Sequence, residues 1–392
     1  MLKFVVLSIS FILLSATAAV GILPEIRDSL GITQTQSELL ITVPSITTLL
    51  FVILCDQFIG KIGMKKTVIT GLLISGIGGI MPLFNDTNYT YFLISRFLFG
   101  AGKGLIFTPS VSYINVLFHE KERATLIGYR SATEMLGQSI LTFTMGALVV
   151  FGWRFSFTAN VVFFLIAGLV ASKIPEVDAN RNMGDSGHEM KRDQKKIPLI
   201  VYPLALFVGV VAISSSMIAI RFPAMATEIR GAGYNASFWV GLKPLLGIVA
   251  ASFFGKLNGL LGKRVLYLGT FLLVVSQFLL GFSYGNFSML IIGFLLSAFV
   301  LGWIVPVIIN VISKLTTGKQ QRAATACTLF CAHIGIFFMP FIVRMLETVA
   351  GTTALQAPYP IAGVIVSALL VMIMVLSHHK TFRKKVGLEN DR

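Results

Sequence analysis

Asp56-Gln-Phe-Ile-Gly60-Lys61-Ile-Gly63-Met-Lys65-Lys66 is answered in the second half of the chain by Gly255-Lys-Leu-Asn-Gly259-Leu-Leu-Gly262-Lys263-Arg264. Gly60 and Gly63 correspond to Gly259 and Gly262, and each glycine pair is followed by basic residues. Pro109 and Pro306 correspond at nearly the same offset. Between the two copies lies the one long polar break, Lys173 to Lys196. Internal repeats of this kind mark membrane proteins built from two like bundles. The division predicts an N-terminal bundle over 1–175, a cytoplasmic linker over 176–197, and a C-terminal bundle with a short cytoplasmic tail over 198–392.

Working outward, the composition fits that plan. Of 392 residues, 55% are hydrophobic and 12% charged, with a mean hydropathy of +0.83. A water-soluble chain so poor in charge would expose large apolar patches, whereas lipid solvates them. Apolar runs cover about 4–24, 37–58, 66–84, 90–112, 124–150, 153–173, 198–220, 236–257, 264–283, 287–312, 323–345 and 357–377. Most approach the ~20 residues that cross the hydrocarbon core as helix. The fold class expected is all-α integral membrane: twelve transmembrane helices in two six-helix, pseudo-symmetric bundles. The first run follows Lys3 like a signal peptide, but the repeat needs six helices in the first half, so it is read as a membrane helix.

The net charge of +15 would point to nucleic acid in a soluble protein. Here it reports topology. Most of the 32 Lys and Arg residues fall in loops on one side, and the other side's loops hold Arg27, Arg154, Arg221 and Arg230. Positive loops are cytoplasmic, which places both termini inside a multi-pass cell membrane protein and leaves no role for nucleic acid. The N-x-S/T triplets at Asn85, Asn88, Asn235 and Asn286 are read as chance occurrences.

The same residues resemble the major facilitator superfamily. Gly60-Lys61-Ile62-Gly63-Met64-Lys65-Lys66 fits the second part of its loop signature. Asp56 stands where the signature has its first Gly, and Gly60 where it has its Asp. The resemblance implies a cytoplasmic latch built on Asp56, Gly60, Lys61, Gly63, Lys65 and Lys66. Arg96-Phe-Leu-Phe-Gly100-Ala-Gly102-Lys103-Gly104 fits the family's R-x-x-x-G-x-G-x-G in helix four, whose arginine the resemblance associates with coupling. The chain resembles small bacterial drug–proton antiporters within that family, although Thr142-Phe143 stands where drug exporters carry Gly-Pro. The resemblance implies two bundles rocking about a central cavity.

Ionisable groups at bilayer depth cost ~2.5–3.5 kcal/mol on insertion scales and serve function by default. Among the 17 acidic residues, Glu134 alone falls well inside an apolar run, with Asp56 and Glu347 near helix ends. Arg130 lies one turn before it on the same face. The expected proton-coupling set is Glu134, Arg130 and Arg96; a permanent Arg130–Glu134 bridge is the structural alternative. Lys103, Lys243 beside Pro244, and His333, which corresponds to Glu134 in the repeat, are the candidate substrate contacts. Arg344 also falls within a run. Cys327, Cys331 and His333 do not share one helix face, and His119-Glu120-Lys121-Glu122-Arg123 lacks the second histidine of a zinc motif, so no metal is expected. No phosphate-cradling Gly-Lys-Ser/Thr loop is present, which disfavours an ATP-driven pump and implies no cofactor.

These observations predict a monomeric secondary transporter of a small solute, proton-coupled and exporting. The alternatives are uptake of an organic anion, suited to the cation excess at depth, and lipid flipping. A polytopic membrane enzyme would need a His, Asp or Cys cluster at one membrane face, and the sequence has none.

Overall fold

The computed structural model describes residues 1–85, 87–177, 198–262, 264–316 and 318–378. The expected linker from residue 178 to 197 and the tail beyond 378 lie outside the described residues. Every regular element among the described residues is a helix. The architecture is the expected twelve-helix, all-α plan. The second to sixth spans are Gln34–Ile62, Met64–Leu83, Tyr89–Leu117, Glu120–Leu148 and Trp153–Lys173. The seventh to twelfth are Val201–Arg230, Ser237–Leu261, Arg264–Gly281, Phe287–Leu315, Gly318–Ala350 and Pro358–His378. Ten helices among the described residues are long and apolar enough to cross a membrane. The first span joins them only as a bent pair, Leu2–Phe11 and Ser15–Leu30, broken by 49°. Tyr89–Leu117, which carries Arg96 and Lys103, is not among them, although its 29 residues would reach about 44 Å as helix.

The break in the first span has a local cause. The hydroxyls of Ser8, Ser15 and Thr17 donate to carbonyls three residues earlier, competing with the α-helical ladder, and Ser15–Ile22 winds as 3-10 helix. Elsewhere prolines sit inside spans without ending them: Pro44, Pro109, Pro223, Pro244, Pro306 and Pro340. Each removes a ladder bond, which packed membrane helices tolerate.

Contacts divide the chain into two compact units. One is Met1–Asp193 with Asn235–Leu245; the other is Gln194–Tyr234 with Leu246–Arg392. The eleven residues 235–245, which include the start of the eighth span, thus group with the N-terminal unit. Inside each unit the same pairings recur. The first span packs along the fifth as the seventh does along the eleventh. The third packs on the fourth and sixth as the ninth does on the tenth and twelfth.

The fourth span is the hub of the N-terminal unit, and its glycines explain why. A Cβ at Gly100 would meet Thr47 Oγ1 and stand 2.6 Å from the Pro44 carbonyl, and one at Gly104 would stand 2.6 Å from the Thr48 carbonyl. Those two glycines seat the second span. Gly102 faces the third span, where a Cβ would meet the Gly71 carbonyl and Ser75, and a Cβ at Gly71 would stand 2.7 Å from the Gly102 carbonyl. The Gly-x-Gly-x-Gly run is therefore a two-sided surface for close helix approach. Gly102→Leu is expected to cost upward of ~3 kcal/mol, because the obstruction is backbone that cannot swing aside. Gly168→Leu, where nothing lies within 4 Å, should cost little. Thermal unfolding of both variants in detergent checks the contrast.

The asparagine triplets take on a structural role. Asn88 Oδ1 accepts from Tyr91 N–H (3.1 Å) and caps the fourth span; Asn286 Oδ1 accepts from Met289 N–H (3.0 Å) and caps the tenth. These caps occupy corresponding places in the repeat.

Candidate functional site

Glu134 lies midway along the fifth span, and Arg130 meets it as the i,i+4 spacing predicts. Arg130 Nη2 and Glu134 Oε1 are 2.8 Å apart, with side chains 13% and 15% exposed. Neither atom makes an aligned hydrogen bond, so the contact is an ion pair with hydrogen-bonding capacity left over. The fourth span positions the guanidinium: Arg130 Nε donates to Ser110 Oγ (3.3 Å), and the group lies 5.6 Å from the Phe107 ring centre. Ser110 is itself oriented by donating to the Phe107 carbonyl at 2.7 Å. Lys103, two turns before Ser110 on the same helix and 8% exposed, interacts electrostatically with Glu134. Two of the expected residues, Glu134 and Arg130, are thus brought together where the fourth and fifth spans meet, and Lys103 lies two turns along the fourth span from their Ser110 neighbour.

Arg96 is not brought there. It is 2% exposed and surrounded by the rings of Phe92, Phe99 and Phe157, at 5.2, 5.0 and 5.1 Å. Its Nη2 donates to the Gly78 carbonyl at 3.2 Å and its Nε to Ser95 Oγ at 3.3 Å. The cation–π contacts and the backbone acceptor take the place of a carboxylate.

Lys243 folds with the N-terminal unit and is half-buried. Two residues earlier, Gly241 is pressed against Phe143, where a Cβ would lie 2.6 Å from the ring. Phe143, which stands in place of the exporters' Gly-Pro, is thereby a packing residue of the fifth span. Asn235 Nδ2 donates to the Gly146 carbonyl at 2.7 Å in the same contact. His333 is half-buried in the other unit. Cys327 and Cys331 are free thiols, and no metal-ligating cluster occurs among the described residues. A surface hollow of about 340 Å³ is lined by Lys3, Glu122, Thr125, Leu126 and Tyr129, with Lys3 and Glu122 ion-paired, and by none of the deeper ionisable groups.

In the signature loop, Asp56, Gly60, Lys61 and Lys66 are exposed and Lys65 half-buried. Gly63 ends the second span at φ 85°, and a Cβ there would lie 2.8 Å from Glu176 Oε1. Among the described residues Asp56 pairs with no cation.

Sequence reasoning missed several buried charges. The seventh and eleventh spans are longer than their apolar runs, and Arg221, read as a loop residue, is 1% exposed inside Val201–Arg230. Its Nη2 donates to Glu347 Oε1 at 2.7 Å, and Arg344 stands 3.6 Å from the other carboxylate oxygen. Glu228 accepts from Gln356 at 3.2 Å nearby. In the N-terminal unit Arg27 donates to Gln34 and Gln34 to Glu38, which is fully buried. Glu134 is therefore not the sole acidic residue within a helix. A run of apolar residues ending at a charge was the available signal, and it stops where a paired charge lets the helix continue.

Residues 5–197 match the family model described as Major Facilitator Superfamily. The quinolone resistance protein NorB of Staphylococcus aureus strain JH9 is 22% identical over 173 residues, and the same figures hold for strain Newman. That alignment covers 44% of this chain and 37% of the relative, so the chain spans well under half the length of the curated relatives it matches. In structure, the chain is similar to the inward-open xylose transporter XylE from E. coli, with TM-score 0.72, 15% identity, and 98% of each chain covered. A POT family transporter in complex with a thioalcohol-conjugated peptide superposes with TM-score 0.75 at 13% identity, covering 96% of each chain. At these identities the likeness carries the fold.

Proposed function

We propose that the chain is a member of the major facilitator superfamily, whose family model matches residues 5–197, and a proton-coupled secondary transporter of a small solute, with Glu134 carrying the proton. The observation behind this reading is the Arg130–Glu134 ion pair, buried between two spans and short of hydrogen bonds. Burial favours the neutral acid and the adjacent cations favour the carboxylate, so a change in either partner can move the proton. Such a group suits alternating access, in which a binding site is exposed to each side of the membrane in turn. Lys103 and Lys243 are the proposed substrate contacts, with His333 as a further one and Arg96 holding the fourth span in place. The membrane is the cell membrane, with both termini cytoplasmic, as the distribution of Lys and Arg supports. A monomer is the working unit in this reading.

Export is the direction supported by likeness over 173 residues to the quinolone resistance protein NorB. Uptake of an organic anion is a second reading, favoured by the excess of cations over carboxylates within the fourth and fifth spans, where Arg96, Lys103 and Arg130 stand against Glu134. Everted vesicles with an internal pH dye, energised and then exposed to cationic, neutral and anionic solutes, test both. Proton release triggered by a cation and absent in Glu134→Gln supports export by antiport. Proton movement with anions alone supports uptake. A solute carried with no proton movement at all would overturn coupling.

A further inference from the structure

Two of the chain's three cysteines stand one helical turn apart. Cys327 and Cys331 lie on the eleventh span, Gly318–Ala350, as free thiols, both half-buried, and the Cys331 thiol hydrogen-bonds with that of Cys327. The third, Cys55, is fully buried on the second span, where its thiol donates to the Leu105 carbonyl at 3.5 Å. The backbone beneath the pair is held by a close crossing. A Cβ at Gly209 of the seventh span would stand 3.2 Å from the Cys331 carbonyl, and one at Gly335 would stand 3.0 Å from the Gly209 carbonyl. The two sulfurs are therefore presented together from a turn of helix whose seat is fixed, which lowers the cost of engaging both at once.

The spacing decides which chemistry the pair can do. Residues i and i+4 of an α-helix have Cβ atoms ~5–6 Å apart, and a disulfide needs about 3.5–4.5 Å. An S–S bond would close only by deforming the helix, whereas one atom inserted between the sulfurs spans the gap. Thiol sulfur takes soft acceptor atoms, and the number of donors narrows the choice among them. A structural zinc needs four ligands, and among the described residues no three His, Cys, Asp or Glu side chains gather to hold a metal. His333, two residues beyond Cys331, projects from the opposite side of the helix. Inorganic arsenite, with three exchangeable oxygens, calls for three thiols. A monosubstituted trivalent arsenical calls for two and keeps its organic group. That group has a seat: Phe338, two turns beyond Cys331 on the same face, is 47% exposed and packs with Phe337 and Phe341.

We propose that Cys327 and Cys331 form a dithiol site that captures monoorganic trivalent arsenicals, with the organic group laid toward Phe338. The capture is a condensation. Two As–S bonds form, two As–O bonds break, and each thiol proton leaves with a hydroxyl group as water. Arsenic stays trivalent and no sulfur is oxidised, so no oxidant or reductant takes part. Closing the ring gives persistence, because a sulfur that lets go is recaptured by an arsenic still held one turn away. The site is formed wholly by the eleventh span and stands whether or not Glu134 carries a proton.

The test uses the full chain in detergent, with phenylarsine oxide as the probe and intact-mass spectrometry and thiol titration as readouts. Expected is one arsenic per chain at the expense of two thiols, with Cys55 the thiol that remains when the chain is then unfolded. An excess of 2-mercaptoethanol should leave the adduct in place, and 2,3-dimercaptopropanol should remove it. Cys327→Ala and Cys331→Ala should each weaken retention by about a hundredfold or more, because the second attachment in wild type is intramolecular. Cys55→Ala should leave retention unchanged. Phe338→Ala should weaken it severalfold, and unchanged retention there overturns the seat assigned to the organic group.

The ratio of one arsenic to two thiols is read on the wild-type chain and needs no variant to fold. An adduct that consumes a single thiol, or one that maps to Cys55, overturns the proposal. So does an adduct that 2-mercaptoethanol strips as readily from wild type as from Cys327→Ala, and so does the absence of any adduct.

Discussion

Glu134→Gln is expected to exchange substrate across the membrane while losing all uphill transport. Glutamine keeps the size and hydrogen-bonding reach of the side chain and cannot release a proton near neutral pH. The driving force lost is definite: each pH unit across the membrane is worth about 1.4 kcal/mol for one proton moved, a tenfold solute gradient at most. In liposomes with a two-unit gradient, wild type should therefore accumulate substrate by up to about a hundredfold and Glu134→Gln not at all. Counterflow between equal pH values should persist within a few-fold, because it needs binding and alternation without proton release. Accumulation by Glu134→Gln at the wild-type level would remove Glu134 from the mechanism. The opposite failure, loss of counterflow as well, would point to a structural bridge. Arg130→Met separates the two, since a bridge would be mended in the Arg130→Met/Glu134→Gln pair and a proton carrier would not.

The part of this site that was legible in the sequence was the part governed by spacing. Arg130 and Glu134 are one helical turn apart, so their contact followed from helix geometry alone. Trp153–Lys173 and Ser237–Leu261 begin within a residue of their apolar runs, since apolar length is what a bilayer selects. Contacts between spans were not legible. The close seat of the fourth span between the second and third, made by Gly100, Gly102 and Gly104, depends on residues far apart in the chain. Arg96 was read into the coupling set on family resemblance, and three phenylalanines and the Gly78 carbonyl surround it in place of a carboxylate. The residue's type was informative and its partners were not. The asparagine caps at Asn88 and Asn286 were hidden for a different reason: a side chain that ends a helix looks, one residue at a time, like any loop asparagine.

The largest stability effect should come from the charges that the apolar runs concealed. Arg221 and Glu347 are 1% and 7% exposed, and their 2.7 Å contact ties the seventh span to the eleventh. Removing either partner leaves the other charged, desolvated and without its main counterion, which typically costs ~3–5 kcal/mol. Arg221→Met and Glu347→Leu are each expected to lose that much in detergent unfolding. The double variant Arg221→Met/Glu347→Leu should recover most of the loss, because two apolar side chains of similar volume need no partner there and the desolvation cost disappears with the charges. Arg344 provides the control. It lies 3.6 Å from the same carboxylate but is 63% exposed, so water screens it, and Arg344→Ala should change stability by less than about 1 kcal/mol. If the double variant is as unstable as the singles, the spans are held by the shape of these two side chains and not by their charges. If it recovers stability but no longer transports, the pair is kept for function at some cost to the fold.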